Sequence, residues 1–247
     1  MTRDPRELAG AWTTFQQHDF LQPSPDLAHY VEAYWVVSWR YTEPYRQLIV
    51  PFPNVHLTFQ DGRATVRGVS SGHQVRVLDG CSGVFGVAFR PGCFRPFLGS
   101  SVAAITDRSV DARAVFDGEP PQAVDAEAVD RFLRAHLPPR DETALEVADV
   151  VARIAADPGV LRVDELAVEL GTSVRRLQRL FAEYVGIGPK WVIRRYRLRE
   201  VTERMAGGDK VDWASLAADL GYADQPHFVR DFTDMFGESP TRYAARY

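Results

Sequence analysis

One short segment contains three polar side chains with the chemistry needed to read DNA bases: Arg175, Gln178 and Arg179. The segment from 174 to 184 is predicted to be a helix, because Ser173 is a favourable N-cap and apolar residues follow at helical spacing. The apolar stripe consists of Leu177, Leu180 and Phe181. It leaves the three polar residues on the outer side. An arginine can donate two hydrogen bonds to guanine and a glutamine can pair with adenine, so such a helix suits the major groove.

The residues before and within this helix recur about fifty residues later. Leu166-Ala167-x-x-Leu170-Gly171 is repeated as Leu216-Ala217-x-x-Leu220-Gly221. Beyond the glycine the offset becomes 51, and the pairs are Leu177 and Phe228, Phe181 and Phe232, Gly186 and Gly237, and Pro189 and Pro240. In each copy a glycine able to adopt positive φ separates two predicted helices, which is typical of a helix-turn-helix.

The second copy has its own set of outward polar residues. Asp224 is a favourable N-cap for a helix over 225 to 235, and the outward positions of that helix are Gln225, His227 and Arg230. Between the copies, residues 189 to 205 are predicted to form one helix of 17 residues. Such a helix is about 25 Å long, so it would space two reading helices toward adjacent major grooves, about 34 Å apart.

Charge is distributed unevenly along the chain. The whole chain has a formal charge of -4, whereas residues 171–199 contain eight basic residues and one acidic residue, a local charge of +7. Such a basic segment is either a solvated helical face or a surface for phosphates. The flanking repeat favours the second interpretation. The expected phosphate contacts are Ser173, Arg176, Lys190, Arg194 and Arg195.

Residues from about 146 to 247 resemble the tandem helix-turn-helix DNA-binding domain of the AraC/XylS family of bacterial transcription regulators. The resemblance rests on the repeated Leu-Ala and Leu-Gly motif, on residues 177–181, and on Ser239-Pro240-x-x-Tyr243. In that family the first recognition helix commonly supplies most base contacts, which implies this role for Arg175, Gln178 and Arg179. The second copy departs from the family at Pro226, Asp231 and Asp234, and the two acidic residues imply weaker contact with phosphates.

The first part of the chain has a different pattern. Short runs that alternate apolar and polar residues, separated by glycine, serine and aspartate, occupy residues 26 to 89 and predict an antiparallel β-sandwich or barrel. A helix is predicted over 125 to 137, and Pro138-Pro139 ends it. The predicted fold class is therefore α+β: a β-sandwich or cupin-like domain with flanking helices over 1–140, and an all-α domain over 141–247.

Parts of this first domain resemble an uncharacterised sensor-like domain that precedes the DNA-binding domain in some regulators of the family. Other family members use a cupin-type sandwich here to bind a small effector, and many use a nearby helix to form dimers. The resemblance implies an effector pocket and does not imply a ligand. The candidate pocket residues are Trp35, His56, Thr58, His73 and Arg90.

Catalytic and metal-binding interpretations have less support. His56 and His73 are not part of an H-x-H cluster, so we expect no metal and no cofactor. Cys93 lies near two arginines and is either a reactive thiol or, as we favour, a buried small side chain. Two cysteines in a chain of 247 residues, with no long apolar segment, indicate a reducing cytoplasm and no membrane span.

These patterns together predict a cytoplasmic transcription regulator that binds promoter DNA and is not an enzyme. A small-molecule effector, RNA polymerase and a second copy of the chain are the other candidate partners. Two alternatives remain open. One is a sandwich enzyme that processes small molecules and is fused to a DNA-binding module. The other is a DNA binder without an effector, whose first domain only forms oligomers.

Overall fold

The computed structural model of the chain describes residues 15–206 and 212–245, apart from the side chains at positions 203 and 206. The described strands are β1 (Gln16–Leu21), β2 (Val31–Ile49), β3 (His56–Gln60), β4 (Arg63–Arg67), β5 (Gln74–Phe89) and β6 (Ser109–Asp111). They form one antiparallel sheet in the order β1-β2-β5-β3-β4-β6. The predicted antiparallel, β-rich N-terminal domain is confirmed, and its described strands belong to a single sheet.

Two strands are longer than the sequence pattern predicts. The apolar runs near 75 and near 85 belong to one strand, β5, which continues through Gly80 at a φ of +59°. Its partner β2 has a register shift between Tyr41 and Tyr45. Glycine tolerates this conformation without steric cost, so a residue that looked like the end of a strand marks a bend within it.

The described helices follow the strands along the chain, apart from the first helix, which precedes β6. They are α1 (Arg95–Leu98), α2 (Ala126–Ala135), α3 (Glu142–Ala156), α4 (Val163–Glu169), α5 (Val174–Leu180), α6 (Pro189–Ala206), α7 (Trp213–Asp219), α8 (Gln225–Phe236) and α9 (Pro240–Ala244). Short 3-10 turns occupy Val102–Ile105 and Ala112–Ala114, and a π-helical turn at Phe181–Val185 extends α5. The predicted C-terminal helical domain is confirmed. Within the described residues, no helix combines the length and the apolar character needed to cross a membrane.

One face of the sheet packs against α2 to form the N-terminal core. Leu57 and Val87 from the sheet and Val129 from α2 are completely buried there. The carboxylate of Asp130 on α2 is also buried, and it accepts a hydrogen bond of 2.5 Å from the Tyr34 hydroxyl. A buried carboxylate needs such a donor, since unpaired burial of a charge is costly.

The helical part has two separate cores, one for each copy of the repeat. The first contains Leu166, Leu177 and Phe181 and is closed by α3. The second contains the equivalent residues Leu216, Phe228 and Phe232, with α6 and α9 packed around them. The predicted domain division at residue 140 falls between α2 and α3. It stays a prediction because α3 also contacts the N-terminal part, where its backbone lies against Gly92.

Candidate nucleic-acid interface

The first helix-turn-helix is held by a short set of backbone hydrogen bonds. After α4 the chain reverses at Gly171, whose φ is +60°. The Gly171 N–H donates to the Val168 carbonyl at 3.0 Å, and the Thr172 N–H donates to the Ala167 carbonyl at 2.9 Å. The side-chain oxygen of Ser173 then accepts from the Arg176 N–H and begins α5. These bonds satisfy the polar groups at the ends of both helices and fix the angle between them.

The second helix-turn-helix repeats the same bonds at the offsets seen in the sequence. Gly221 has a φ of +70° and donates to Ala218, while Tyr222 donates to Ala217, both at 2.9 Å. Asp224 then accepts from the His227 N–H at 2.7 Å and begins α8. The offset is 50 residues up to the turn and 51 at the N-cap, because the second turn has one additional residue. The duplication is therefore present in the structure as well as in the sequence.

The outer side of α5 presents exposed polar groups. Arg175, Gln178 and Arg179 are all exposed, whereas Leu177 between them is only 3% exposed. Among the described residues, none of these three side chains has a hydrogen-bond or ion-pair partner. By contrast, the nearby Arg153 pairs with Glu169. An unpaired guanidinium on a short capped helix keeps all of its donors for an external acceptor.

The outer side of α8 is partly occupied by contacts within the protein. Gln225 and Arg230 are exposed and, within the described residues, have no side-chain partner. His227 is also exposed, but its ring packs edge-on against Tyr222 with the centroids 5.3 Å apart. Its Nε2 lies 4.0 Å from a carboxylate oxygen of Asp231. The second unit therefore offers fewer unrestrained base-reading groups than the first.

The five expected phosphate contacts are placed in two different environments. Ser173, Arg176 and Lys190 are exposed, and the Ser173 hydroxyl can still donate while its oxygen caps α5. Arg194 forms a 2.9 Å ion pair with Asp231 and is mostly covered. Arg195 is completely buried, because α6 turns this side chain toward the N-terminal domain. The burial of Arg195 is inconsistent with a phosphate contact in this arrangement of the chain.

The N-terminal domain contacts equivalent points of the two units. Thr106 donates from its hydroxyl to the Gly186 carbonyl at 2.6 Å, and a Cβ added to Gly186 would lie 2.9 Å from that hydroxyl oxygen. Gly237 is equivalent to Gly186, and a Cβ there would lie 2.6 Å from the His73 ring. The linking helix is also held, since the Trp191 indole donates to the Ser71 carbonyl at 2.7 Å. No local sequence pattern indicates these contacts, because they join distant parts of the chain.

The candidate effector residues are only partly brought together. Trp35, His56 and Thr58 share one face of the sheet, and the Trp35 indole donates to Nδ1 of His56 at 3.2 Å. His73 lies elsewhere, against Gly237, and Arg90 lies 3.9 Å from a carboxylate oxygen of Asp149 on α3. Of the five candidate residues, the first three therefore lie together, whereas His73 and Arg90 do not join them. Burial lowers the pKa of His56 to about 4, and the positive charge of Arg67 adds to this effect.

The two cysteines have different environments. Burial raises the pKa of the Cys93 thiol to about 11, which disfavours the thiolate and a reactive role. Cys81, the other cysteine, is exposed and free. A group of three or more histidine, cysteine or acidic side chains arranged to hold a metal ion is absent from the described part of the chain.

Comparisons with known proteins give two family matches. Residues 166–246 match a helix-turn-helix domain family, and residues 19–111 match a domain family of unknown function. No curated protein matches the chain.

Similar solved structures include a transcriptional regulator from Chromobacterium violaceum, described as a protein with an AraC-type DNA-binding domain. It is 24% identical with a TM-score of 0.36, over 40% of this chain and 89% of that one. ToxT from Vibrio cholerae is 11% identical with a TM-score of 0.42, over 94% of this chain and 98% of that one. ToxT bound to (E)-4-(8-methylnaphthalen-1-yl)but-3-enoic acid is also 11% identical, with a TM-score of 0.44, over 94% of this chain and 99% of that one.

Proposed function

We propose that the protein, whose residues 166–246 match a helix-turn-helix domain family, is a sequence-specific transcription regulator of the AraC type whose DNA binding is modulated by a small molecule. The proposed role includes no chemical step. We place it in the cytoplasm, where bacterial promoter DNA is found. RNA polymerase and a second copy of the chain are further proposed partners.

The observation that carries the proposal is the unpaired polar surface of α5. Arg175, Gln178 and Arg179 stand on the outer side of a helix whose inner side is fixed in a core by Leu177. In the proposed complex the two arginines pair with guanines and Gln178 pairs with adenine. Ser173, Arg176 and Lys190 lie near the same helix and contact the adjacent phosphates.

The second unit contributes a smaller share of the base contacts in this proposal. Gln225, His227 and Arg230 are the reading residues of α8, but Asp231 on the same helix pairs with Arg194 and so engages an arginine that would otherwise be available to a phosphate. Helix α6 has 18 residues, so it is about 27 Å long and spaces the two units along one side of the duplex.

Modulation by a small molecule is supported by the contacts of the N-terminal domain with both units. A ligand changes the affinity for DNA only if the ligand itself binds more tightly to one of two arrangements of the chain, one that binds DNA and one that does not. The contacts at Gly186, Gly237 and Trp191 would differ between two such arrangements. A change in the sheet domain could therefore alter the position of the DNA-reading helices through these contacts.

The proposal is tested by selecting genomic DNA fragments with the purified full chain. We expect a short common operator to be enriched by the wild-type protein and lost in the R175A,R179A variant. The matched control is R131A, which removes an exposed arginine of α2 that pairs with Glu127. Retention of the same operator by the double variant would contradict the proposed reading surface.

A further inference from the structure

Two arginines without an acidic partner lie on the face of the sheet opposite α2. Arg67 on β4 donates from Nε to the Thr58 hydroxyl oxygen at 3.1 Å, and Arg76 on β5 donates to the Gln60 side-chain oxygen. Both side chains are partly buried. Within the described residues neither forms an ion pair. Arginines removed from water are normally paired with a carboxylate, so this cluster has an unbalanced positive charge.

A bend in the longest strands brings the two arginines to the same region. Gln60 follows Phe59, which pairs with Phe85 on β5, and Arg76 lies nine residues before Phe85. On a straight strand that separation is about 30 Å, far beyond the reach of a side chain. The hydrogen bond between Arg76 and Gln60 therefore requires β5 to turn back at Gly80. We call the paired residues 45–49 of β2 and 74–78 of β5 the distal half of the β2–β5 hairpin. With this turn, the distal half lies over the face that carries Arg67.

The electrostatic effects in this cluster agree with its geometry. Burial lowers the pKa of Arg76 and the charge of Arg67 lowers it further, while the charge of Asp61 acts in the opposite direction. The neighbouring Asp61 accepts from Gln60 and from Ser82, and it forms no ion pair with either arginine. The charge of Asp61 therefore acts on the cluster without direct contact, and an external anion would supply the direct partner that both guanidinium groups lack within the described residues.

An apolar wall lies beside the charged groups. The Trp35 ring packs directly over Gly86, where an added Cβ would come within 2.0 Å of it, and the indole is fixed by its hydrogen bond to His56. Farther along the same face, Trp39, Leu78 and Val84 form a small buried cluster that Trp35 borders. A ligand held by the arginines would have an aromatic and aliphatic surface next to it.

We propose that Arg67 and Arg76 bind the oxyanion group of a small organic molecule, a carboxylate or a phosphate monoester, whose apolar part lies against Trp35. Thr58, whose hydroxyl donates to the Thr65 carbonyl, positions Arg67 by accepting from its Nε. Arginine suits this role because its planar fork donates two parallel hydrogen bonds to such a group. The proposal rests on the proposed function, since it names the chemical class of the effector.

The distal half of the hairpin connects this site to the second DNA-reading unit. Arg76 and Leu48 lie on opposite faces of that half, because Leu48 pairs with Val75 and side chains alternate along a strand. Leu48 and Val50 pack against the core of the second unit. An anion that draws Arg76 toward Arg67 therefore also moves the surface on which the second unit rests.

The test is thermal unfolding of the full chain without DNA, at constant ionic strength, with paired charged and neutral probes. The pairs are benzoate with benzamide and phenyl phosphate with phenol. We expect at least one anion to raise the melting temperature by about 3 °C at ten times its Kd, and its neutral partner to have no such effect. Stabilisation by benzoate indicates a carboxylate site, and stabilisation by phenyl phosphate indicates a phosphate site.

Variants assign the effect to the cluster. We expect R67Q,R76Q to abolish the shift and R40Q, an exposed arginine of the same sheet, to retain it. If the glutamine variant fails to fold, the R67K,R76K variant replaces it, because it keeps both positive charges. We expect R67K,R76K to weaken anion binding about tenfold, because lysine lacks the bidentate fork of arginine. The proposal is overturned if neither anion stabilises the wild type, if the neutral probes act equally, or if the variants bind as well as the wild type. Because DNA is absent, these outcomes are independent of operator selection, which tests the proposed function.

Discussion

The guanidinium carbon of Arg195 lies 3.9 Å from the centre of the Phe52 ring, and the two residues lie on opposite sides of the predicted domain division. The Arg195 Nε also donates to the Pro51 carbonyl. A buried cation over an aromatic face gains about 2 kcal/mol or more when it is desolvated. A side chain from the most basic part of the sequence therefore holds the linking helix to the sheet.

Replacement of Phe52 by alanine removes the closest aromatic contact of Arg195, which also donates to the Pro51 carbonyl and lies over the Phe236 ring. If the guanidinium then turns outward to a phosphate, log affinity for random DNA should fall more steeply with log salt, by about one unit of slope. Binding measured at several salt concentrations checks this. Phe52→Tyr keeps the ring and should behave like the wild type, and an unchanged slope in F52A would show that Arg195 remains buried without Phe52.

The wild-type salt dependence is itself expected to be smaller than the charge count suggests. Of the eight basic residues in 171–199, only Arg175, Arg176, Arg179 and Lys190 are exposed. Arg176 and Lys190 neutralise two phosphates, and Arg175 and Arg179 at most two more when no cognate bases are present, which gives a slope between about -2 and -4. A titration of random duplex DNA measures the slope, and a value near -7 would mean that the covered arginines also reach the DNA.

Arg179→Ala should reduce operator binding by about 1–3 kcal/mol and random DNA binding much less, because a lost base contact affects only the cognate sequence. Parallel titrations of both duplexes provide the comparison. R131A serves as the control and should leave both affinities unchanged. Equal losses on operator and random DNA would instead identify Arg179 as a phosphate contact.

Leu177→Ala should lower the free energy of unfolding by about 2–5 kcal/mol, because Leu177 is 3% exposed in the first helical core. Chemical denaturation measures the change. The matched control is Val168→Ala, at a position that is 80% exposed on the neighbouring helix and should have little effect. If the two variants were equally stable, the inward orientation of α5 would be wrong.

His56 should make the protein less stable as the pH falls from about 6.5 toward 4. Burial lowers the pKa of His56 to about 4, so over this range the unfolded chain binds the proton and the folded chain does not. Protonation of Nδ1 would also remove the acceptor used by the Trp35 indole. Urea unfolding between pH 4.5 and 7.5 tests this, with His56→Gln as the reference. If the free energy of unfolding depended on pH in the same way in the wild type and in His56→Gln, His56 would not be the source of the loss of stability.

The sequence predicted the parts of the structure that depend on neighbouring residues. The repeat, the turn at Gly171 and the N-caps at Ser173 and Asp224 involve contacts within a few positions, so local spacing was sufficient to locate them. Gly80 was misread as a strand end, because a glycine at a bend and a glycine at a turn look the same in sequence.

The parts that were missed depend on contacts between distant segments. The covering of Arg195 by Phe52 joins positions more than a hundred residues apart, and charge alone placed Arg195 on the surface. Arg67 was not among the candidate pocket residues, although it contacts Thr58, which was. The contact between Arg67 and Thr58 arises from strand pairing, which brings β4 next to β3.

The contacts of the sheet with Gly186 and Gly237 also constrain how the chain can evolve. One residue inserted into α6 would rotate everything after it by about 100° and advance it by 1.5 Å. Gly237 would then leave His73, even if a compensating change in the operator restored the spacing of the recognised bases. The length of α6 is thus determined twice, by the helical repeat of the duplex and by the distance between two anchoring points on the sheet domain.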